Sequence, residues 1–340
     1  MENDQLKPQK SFRYLDFMFI LALLLFMFNL ISKYDYFFPD YINYYNAYET
    51  VGGLGVNGYN QMEIGFRVLC LLFNKLGFSY DQFYLVLVVF SLFLILRTIS
   101  FFSEKISFIL LMYITFPFLL DLVQIRYLLA SSLVLYAIRY LTTKFEKKYI
   151  FVYLIFNIIA ITIQGTTSYY LIFLLVRLFK QKNIIKISMV GMTIVAILSG
   201  KLGSLLMSSE LTSHYAAYTG NTIKPIGSIS IMILMLLNII SIHKFTSKFM
   251  DGKRDFSSLI VRLNIVVLPI MPLFFTNTDI FRIYRSLLIL NNCVFVNSIF
   301  NFKKKDGELL IYYFIFLGSF LGIVYIFLIN SNINLIKLFF

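Results

Sequence analysis

The sequence predicts an all-α, polytopic integral membrane protein with about 11 transmembrane helices, and three observations support that prediction. Of the 340 residues, 59% are hydrophobic. Only 14% are charged, against about 25% in soluble globular domains. Apolar runs of about 15 to 20 residues, which is close to the length that a bilayer-spanning helix needs, recur along the whole chain. These features exclude a soluble enzyme, and we interpret residues 1–340 as one multi-pass membrane domain.

The net charge of +13 indicates membrane orientation and not a nucleic-acid surface. The basic residues concentrate in short segments between apolar runs, namely Lys7–Arg13, Lys144–Lys148, Arg177–Lys186, Lys244–Arg254 and Lys303–Lys305. Such clusters are typical of cytoplasmic loops. Nucleic-acid binding would instead need a basic stripe on a soluble face, so we expect no nucleic-acid partner.

The predicted spans follow from the apolar runs and from the positive-inside rule. The first covers Leu15–Ile31, with the N-terminus inside. The segment Glu63–Gly77 is short and carries Arg67 and Lys75. As a full span it would put Lys144, Lys147 and Lys148 outside, against the positive-inside rule, so we predict a short outer interfacial or re-entrant helix there. The other predicted spans lie at about 82–100, 106–120, 126–142, 149–163, 168–179, 184–199, 226–242, 257–275, 283–300 and 309–329. The largest outer segments are then about 33–81 and 200–225.

Arg126 is one of the few basic residues on the predicted outer side. It stands with Asp121 and Gln124 in a polar break within an apolar run. A charge at mid-membrane costs about 2.5 to 3.5 kcal/mol, so this arginine needs a specific environment. Two interpretations stay open. Arg126 either pairs with Asp121 and joins two helices, or faces a water-filled cavity and contacts an anion there.

Arg282 and Arg285 stand three residues apart at the outer start of a predicted span. This spacing puts both guanidinium groups on one helix face, close to a helix N-terminus that itself favours anions. The pair therefore predicts a clamp for a diphosphate group. The alternative is a positive helix end that Asp279 screens.

The outer segments also hold candidate acids, bases and sugar-binding groups. Glycosyl transfer needs a base near an acceptor hydroxyl and positive charge near a leaving diphosphate. Asp40 and Glu63 are candidate carboxylates, and His214 is the one histidine on the predicted outer side. Tyrosines crowd the first outer loop, with Tyr44 and Tyr45 among them. They either stack on sugars or populate the membrane interface.

The order of these motifs points to a known family. Along the chain it reads Asp40-Tyr41, Tyr44-Tyr45, Glu63-Ile64-Gly65-Phe66, Gln124-Ile125-Arg126 and Arg282-Ile283-Tyr284-Arg285. This order, over roughly residues 34–290, resembles the EpsG family within the wider group of Wzy-type polysaccharide polymerases. The resemblance implies a GT-C-like membrane fold. It also implies polymerisation of undecaprenyl-diphosphate-linked oligosaccharide repeat units into O-antigen, capsular or exopolysaccharide on the outer face of the bacterial inner membrane.

The resemblance further implies roles for individual residues. The expected catalytic set is Arg126, Arg282, Arg285, His214, Asp40 and Glu63, with the three arginines on the diphosphate. The expected substrate contacts are Gln124, Asp121, Gln164, Tyr284, Arg67, Tyr44 and Tyr45. No metal or other cofactor is expected. The expected partners are the lipid-linked oligosaccharide and the lipid bilayer, with a chain-length regulator and a flippase as further candidates.

The chain departs from the family pattern at Gln164. Such proteins usually carry a histidine followed by a small hydroxyl residue after about the fifth span, and here the sequence reads Gln164-Gly165-Thr166. Glutamine can hydrogen-bond a sugar or a phosphate but cannot act as a base near neutral pH. If the family histidine is catalytic, its role passes to His214 or to an outer carboxylate.

Two other functions fit a membrane protein of this kind. A lipid-linked oligosaccharide flippase would be longer and would consist of two similar halves, and the sequence shows no such internal repeat. A membrane O-acyltransferase acting on surface glycans would use a histidine near the start of its membrane domain, and none occurs before His214.

Overall fold

The computed structural model describes residues 40–142, 147–208, 225–249, 254–275, 280–301 and 307–330. Every secondary-structure element within these ranges is helical, which confirms the all-α prediction for this part of the chain. The chain divides into two compact units, Met1–Leu171 with Asn332–Phe340, and Ile172–Ser331. Each unit is described by itself.

The first unit is built from α-helices joined by short 3-10 and π-helical segments. The α-helices are α1 (Tyr41–Leu54), α2 (Ile64–Lys75), α3 (Tyr80–Phe102), α4 (Ile106–Tyr113), α5 (Leu119–Val123), α6 (Ile125–Ile138) and α7 (Lys147–Ile163). A π-helical segment, Ile114–Phe118, separates α4 from α5, and a 3-10 helix, Gly165–Leu174, follows α7. Helix α6 packs between α3 and α7.

Helix α2 has the character of the predicted interfacial helix. Its 12 residues extend about 18 Å, well short of the roughly 30 Å of a bilayer core. Ile64, Val68 and Leu72, spaced four apart, are each about half exposed, whereas Phe66 on the other face is fully buried. An apolar stripe on the outside of a short helix suits the boundary between lipid and water.

A discontinuous helix runs through the first unit. The first break falls at Phe116 and Pro117, whose backbone angles are non-helical, because proline lacks an N–H and clashes with the preceding turn. The second break falls at Gln124, with φ −105° and ψ 58°, between α5 and α6. The predicted polar break around Asp121, Gln124 and Arg126 is therefore a physical interruption of the helix. Arg126 is the second residue of the helix that resumes after it.

Gly65 marks the closest approach of α2 to α7. A Cβ atom at Gly65 would lie 2.4 Å from Thr162 Oγ1 and 2.7 Å from the Thr162 carbonyl oxygen. Both distances are far below van der Waals contact, and the carbonyl oxygen belongs to the backbone of α7. Only glycine lets the two helices meet at this spacing.

The second unit contains the remaining described helices. These are α8 (Leu175–Leu178), α9 (Gln181–Ser208), α10 (Pro225–Phe249), α11 (Arg254–Val267), α12 (Phe281–Phe300) and α13 (Gly307–Asn330), with a 3-10 helix at Leu268–Phe275. Helix α10 packs along α13, and α9 packs along the 3-10 helix. At Gly322 of α13 an added Cβ would lie 2.9 Å from the Leu234 side chain of α10.

A network of buried amides joins three helices of the second unit. Asn291 on α12 donates to Asn238 on α10 and to Asn264 on α11, each at 3.0 Å. Tyr284 donates to Asn238 Oδ1 at 2.8 Å. All four side chains are fully buried. Polar groups inside an apolar medium need such partners, so this network fixes how these helices pack.

The structure supports a membrane protein but does not confirm about 11 spans. Within the described ranges, seven helical stretches are long and apolar enough to cross a membrane. They are Tyr80–Phe102, Ile106–Val123, Gln181–Leu198, Ile226–Lys248, Ser258–Phe275, Phe281–Phe300 and Leu309–Phe327. Lys148–Ile163 and Gly165–Leu178 are shorter apolar helices. The first predicted span, Leu15–Ile31, lies outside the described residues.

We predict that Gly65→Ala lowers the free energy of unfolding by about 1–3 kcal/mol, because the new methyl group must push α2 away from α7. Gly53→Ala is the matched control, since a Cβ at Gly53 meets nothing within 4 Å. The control should leave stability unchanged or raise it slightly. Unfolding titrations of the purified protein in mixed micelles measure both effects. Equal stability of the two variants would contradict this account of the α2–α7 contact.

Candidate functional site

The candidate site centres on one carboxylate, Glu63. Its Oε2 accepts a hydrogen bond from Arg126 Nη1 at 2.5 Å, which makes an ion pair. Its Oε1 accepts the backbone N–H of Gly165 at 2.7 Å. The Arg126 and Glu63 side chains are only 14% and 25% exposed. Glu63 therefore joins the start of α2, the first turn of α6 and the residues that follow α7.

Two aromatic rings lie beside the Arg126 guanidinium. Its Cζ lies 5.4 Å from the ring centroid of Tyr44 on α1 and 5.8 Å from that of Phe66 on α2. These distances allow cation–π attraction, which is stronger where the cation is shielded from water. Tyr44 is 6% exposed, and Phe66 is fully buried. The predicted site residues Arg126, Glu63 and Tyr44 thus lie together, with Phe66 completing their contacts.

The position of Arg126 adds to the positive potential of the site. Gln124 precedes the first helical residue of α6, and its carbonyl accepts the N–H of Leu128 at 2.9 Å. The N-terminus of a helix carries a partial positive charge, which here adds to that of the guanidinium. Glu63 balances this charge in the structure. An anion that displaced Glu63 would meet both positive sources.

Gln164, which stands where the family pattern has histidine, borders the same site. It is 5% exposed, and its backbone N–H donates to the Ala160 carbonyl at 2.8 Å. Its carbonyl accepts from the Thr167 backbone at 3.0 Å and from Thr167 Oγ1 at 2.7 Å. The next residue, Gly165, supplies the N–H that binds Glu63. Gln164 therefore immediately precedes the residue whose backbone N–H binds Glu63.

Asp121 occupies the other side of the helix break. It is 5% exposed, and its Oδ2 accepts the Tyr113 hydroxyl at 3.0 Å. Arg126 pairs with Glu63, a partner that the sequence pattern did not single out for it. The role of Asp121 as a substrate contact stays a prediction.

Arg67 stabilises the loop between α1 and α2 through two hydrogen bonds. Its Nη1 donates to the Val56 carbonyl at 2.7 Å and to Asn60 Oδ1 at 2.9 Å. These contacts give Arg67 a structural role in positioning the residues before Glu63. Its predicted contact with substrate stays a prediction.

Tyr45 and Asp40 lie along α1. Tyr45 is 38% exposed, stacks with Tyr41 at 6.2 Å between ring centroids and meets the edge of Tyr80 at 5.7 Å. Asp40 precedes α1, and its carbonyl accepts the Tyr44 N–H at 3.1 Å. Helix α1 therefore carries one tyrosine against Arg126 and another at the surface.

The remaining predicted site residues belong to the second unit or lie outside the described residues. Arg282, Tyr284 and Arg285 occupy the first two turns of α12 in the second unit. Arg285 is 3% exposed, and the Tyr284 hydroxyl belongs to the buried amide network. The shared clamp of Arg126 with the two later arginines stays a prediction. His214 lies outside the described residues.

The described ranges contain no group of three or more His, Cys, Asp or Glu side chains placed to hold a metal ion. Cys70, on the buried face of α2, lies close to the site. Burial raises the pKa of its thiol to about 12. At neutral pH this side chain is therefore a protonated packing group and not a thiolate nucleophile.

Sequence reasoning missed two features of the site, the Gly165 amide and the Phe66 ring. A backbone N–H gives no signal in a residue pattern. The one available hint was a glycine that follows the apolar run of α7, because glycine often ends a helix. Phe66 was part of the motif that starts at Glu63, yet a phenylalanine in an apolar run does not indicate a cation contact.

The family model described as "EpsG family" matches residues 13–340, which is nearly the whole chain. No curated protein and no solved structure matches this chain.

We predict that Glu63 and Arg126 are energetically coupled by about 1–3 kcal/mol. Glu63→Gln, Arg126→Gln and the double variant form a thermodynamic cycle, measured by unfolding titrations in mixed micelles. Each single variant should destabilise the protein because it leaves the other charge partly buried without its partner. The double variant should lose much less than the sum of the two.

The control is a second cycle that uses Arg97, an exposed arginine on α3, in place of Arg126. Glu63→Gln and Arg97→Gln should be additive within about 0.5 kcal/mol, as expected for residues without a shared contact. Additivity in the Glu63–Arg126 cycle as well would contradict a stabilising ion pair.

Proposed function

The chain belongs to the EpsG family, a family associated with polysaccharide polymerase-like membrane proteins, and we propose that it polymerises lipid-linked oligosaccharide repeat units. The proposed donor is a glycan on undecaprenyl diphosphate, and the acceptor is an incoming repeat unit. The reaction would occur on the outer face of the bacterial inner membrane. The product would be an O-antigen, a capsule or an exopolysaccharide.

The observation that carries this proposal is a guanidinium and a carboxylate held together at a helix break. In the proposed reaction an acceptor hydroxyl oxygen forms a bond to the anomeric carbon of the donor. The bond from that carbon to the diphosphate oxygen breaks, and its electron pair leaves with undecaprenyl diphosphate. The hydroxyl proton passes to a base. The site must therefore supply positive charge for the leaving group and a proton acceptor for the hydroxyl.

Arg126 is the proposed contact for the diphosphate. A guanidinium group matches phosphate oxygens in geometry and can bind two of them at once. The N-terminus of α6 adds positive potential at the same place. Arg282 and Arg285 remain proposed further contacts for this group.

Glu63 is the proposed proton acceptor. A bound diphosphate would compete with its carboxylate for Arg126, so that donor binding would release Glu63 Oε2. The other oxygen, Oε1, would stay on the Gly165 N–H and keep the carboxylate in place. This exchange links the arrival of the donor to the availability of the base. Asp40 and His214 are the other proposed candidates for the proton.

Tyr45 and its neighbour Tyr41 are the proposed sugar contacts. Their rings stack near the surface of α1, and exposed tyrosines pack on sugar faces while their hydroxyls bond sugar hydroxyls. Gln164 and Gln124 are further proposed hydrogen-bonding groups, one after α7 and one at the helix break.

The test replaces the chromosomal gene with variants and examines the surface glycan by gel electrophoresis. We predict that Arg126→Gln and Glu63→Gln each reduce long glycan chains by about 100-fold or more, the scale of losing one charged catalytic group. A single-repeat glycan should remain. Arg97→Gln should keep full chain length, and immunoblots of membrane fractions normalise the glycan signal to the amount of each variant, because a loss of stability can lower abundance several-fold.

The gene deletion separates the proposed function from its alternatives. Single-repeat glycan on the cell surface supports a polymerase. A lipid-linked precursor trapped inside the cell would indicate a flippase, and loss of acetyl groups alone would indicate an O-acyltransferase. Normal chain length in both the Arg126 and Glu63 variants would contradict the proposed roles of these residues.

A further inference from the structure

A groove of about 460 Å³ lies between the end of α10 and the beginning of α13. Its lining includes Lys244, Ser247, Lys248, Leu309, Tyr312 and Ile315. This end of the two helices carries the Lys244–Arg254 cluster that predicts a cytoplasmic location. The proposed glycan chemistry uses other residues and the outer face, so this groove has no part in it.

One wall of the groove is basic. Lys244 and Lys248 are spaced four residues apart on α10, so they share one face of the helix, and both side chains are exposed. The Lys244 Nζ atom lies 5.5 Å from the ring centroid of Tyr312 on α13. This contact holds one ammonium group over the groove. Ser247 also lines the groove, and its hydroxyl donates to the Lys244 carbonyl at 2.9 Å.

The other wall of the groove is apolar. Leu309, Ile311 and Ile315 line it from α13, and Ile311 is 62% exposed. Helix α13 is one of the helices apolar enough to cross a membrane. The groove therefore has ammonium groups at a helix end, where a phospholipid headgroup would lie. It has isoleucines along the adjoining span, where an acyl chain would lie.

Aromatic packing fixes the shape of the groove. The Phe245 ring of α10 stacks on Tyr313 of α13 at 4.7 Å between centroids. The Phe245 ring also contacts Phe316 of α13 at 6.2 Å between centroids. Both contacts lie next to groove residues in sequence, so the two helix ends are held at a constant separation.

We propose that this groove binds an anionic glycerophospholipid of the cytoplasmic leaflet. Lys244 and Lys248 would contact the phosphate group, and an acyl chain would lie along Ile311 and Ile315. Basic pockets between transmembrane helices on the cytoplasmic side are suited to such headgroups. The charge of the lysines selects an anionic lipid over a zwitterionic one.

The chain contains no tryptophan, so Tyr312→Trp creates a single fluorescent reporter within the groove. The full-length variant is reconstituted into phosphatidylcholine vesicles that contain an increasing mole fraction of brominated lipid, either phosphatidylglycerol or phosphatidylcholine. Brominated phosphatidylglycerol should quench the reporter at about tenfold lower mole fraction. Adding Lys244→Gln and Lys248→Gln should abolish this preference, since each basic residue near an anionic surface contributes several-fold.

The matched control carries Lys182→Gln and Lys186→Gln, two exposed lysines spaced four apart on α9, which lie in another predicted cytoplasmic cluster. This variant should keep the preference for phosphatidylglycerol. Equal quenching by both lipids in the reporter protein, or an equal loss in both double variants, would overturn the proposal. Displacement of phosphatidylglycerol by millimolar inorganic phosphate would also overturn it, because the site would then bind a soluble anion. Circular dichroism of every variant confirms that the helices are retained.

Discussion

The ion pair between Glu63 and Arg126 is the interaction on which the rest of the first unit depends. A partly buried charge is costly in an apolar surrounding unless another charge and further hydrogen bonds compensate it. Here one carboxylate contacts a guanidinium on α6 and a backbone N–H after α7. The ends of three chain segments must therefore stay together. The structure meets this requirement through the close α2–α7 contact at Gly65 and through the tyrosines of α1.

The helix break makes the ion pair chemically useful. In a continuous helix the Arg126 side chain would project beside backbone groups that already bond each other. The interruptions at Pro117 and Gln124 instead place Arg126 in a first helical turn, where the backbone N–H groups add positive potential. Irregular backbone at membrane depth is tolerated where protein or a polar cavity surrounds it. The same feature that interrupts the helix thus adds positive potential beside Arg126, as the proposed diphosphate contact requires.

The sequence predicts the features that follow from composition and local pattern. The low charge content predicts the all-α membrane class, and the short Glu63–Gly77 segment predicts a short helix, which the structure has as α2. Arg126 stands out because charge is rare in its surroundings. The sequence does not identify Glu63 as its partner, because Glu63 lies 63 residues away and several other predicted outer carboxylates could equally pair with Arg126. The span count is also poorly determined by sequence, because the apolar run 168–179 overlaps a 3-10 helix, Gly165–Leu174, whose length the hydropathy pattern does not determine.

The most direct test is the affinity of the purified protein for undecaprenyl diphosphate, which is the proposed leaving group without a sugar. If the lipid diphosphate displaces Glu63 from Arg126, Glu63→Gln should bind it about tenfold more tightly, because the competing carboxylate charge is gone. Arg126→Gln should bind it at least about tenfold more weakly, because the charged phosphate contact is lost. Unchanged affinity in both variants, or weaker binding by Glu63→Gln, would contradict the exchange of partners on Arg126.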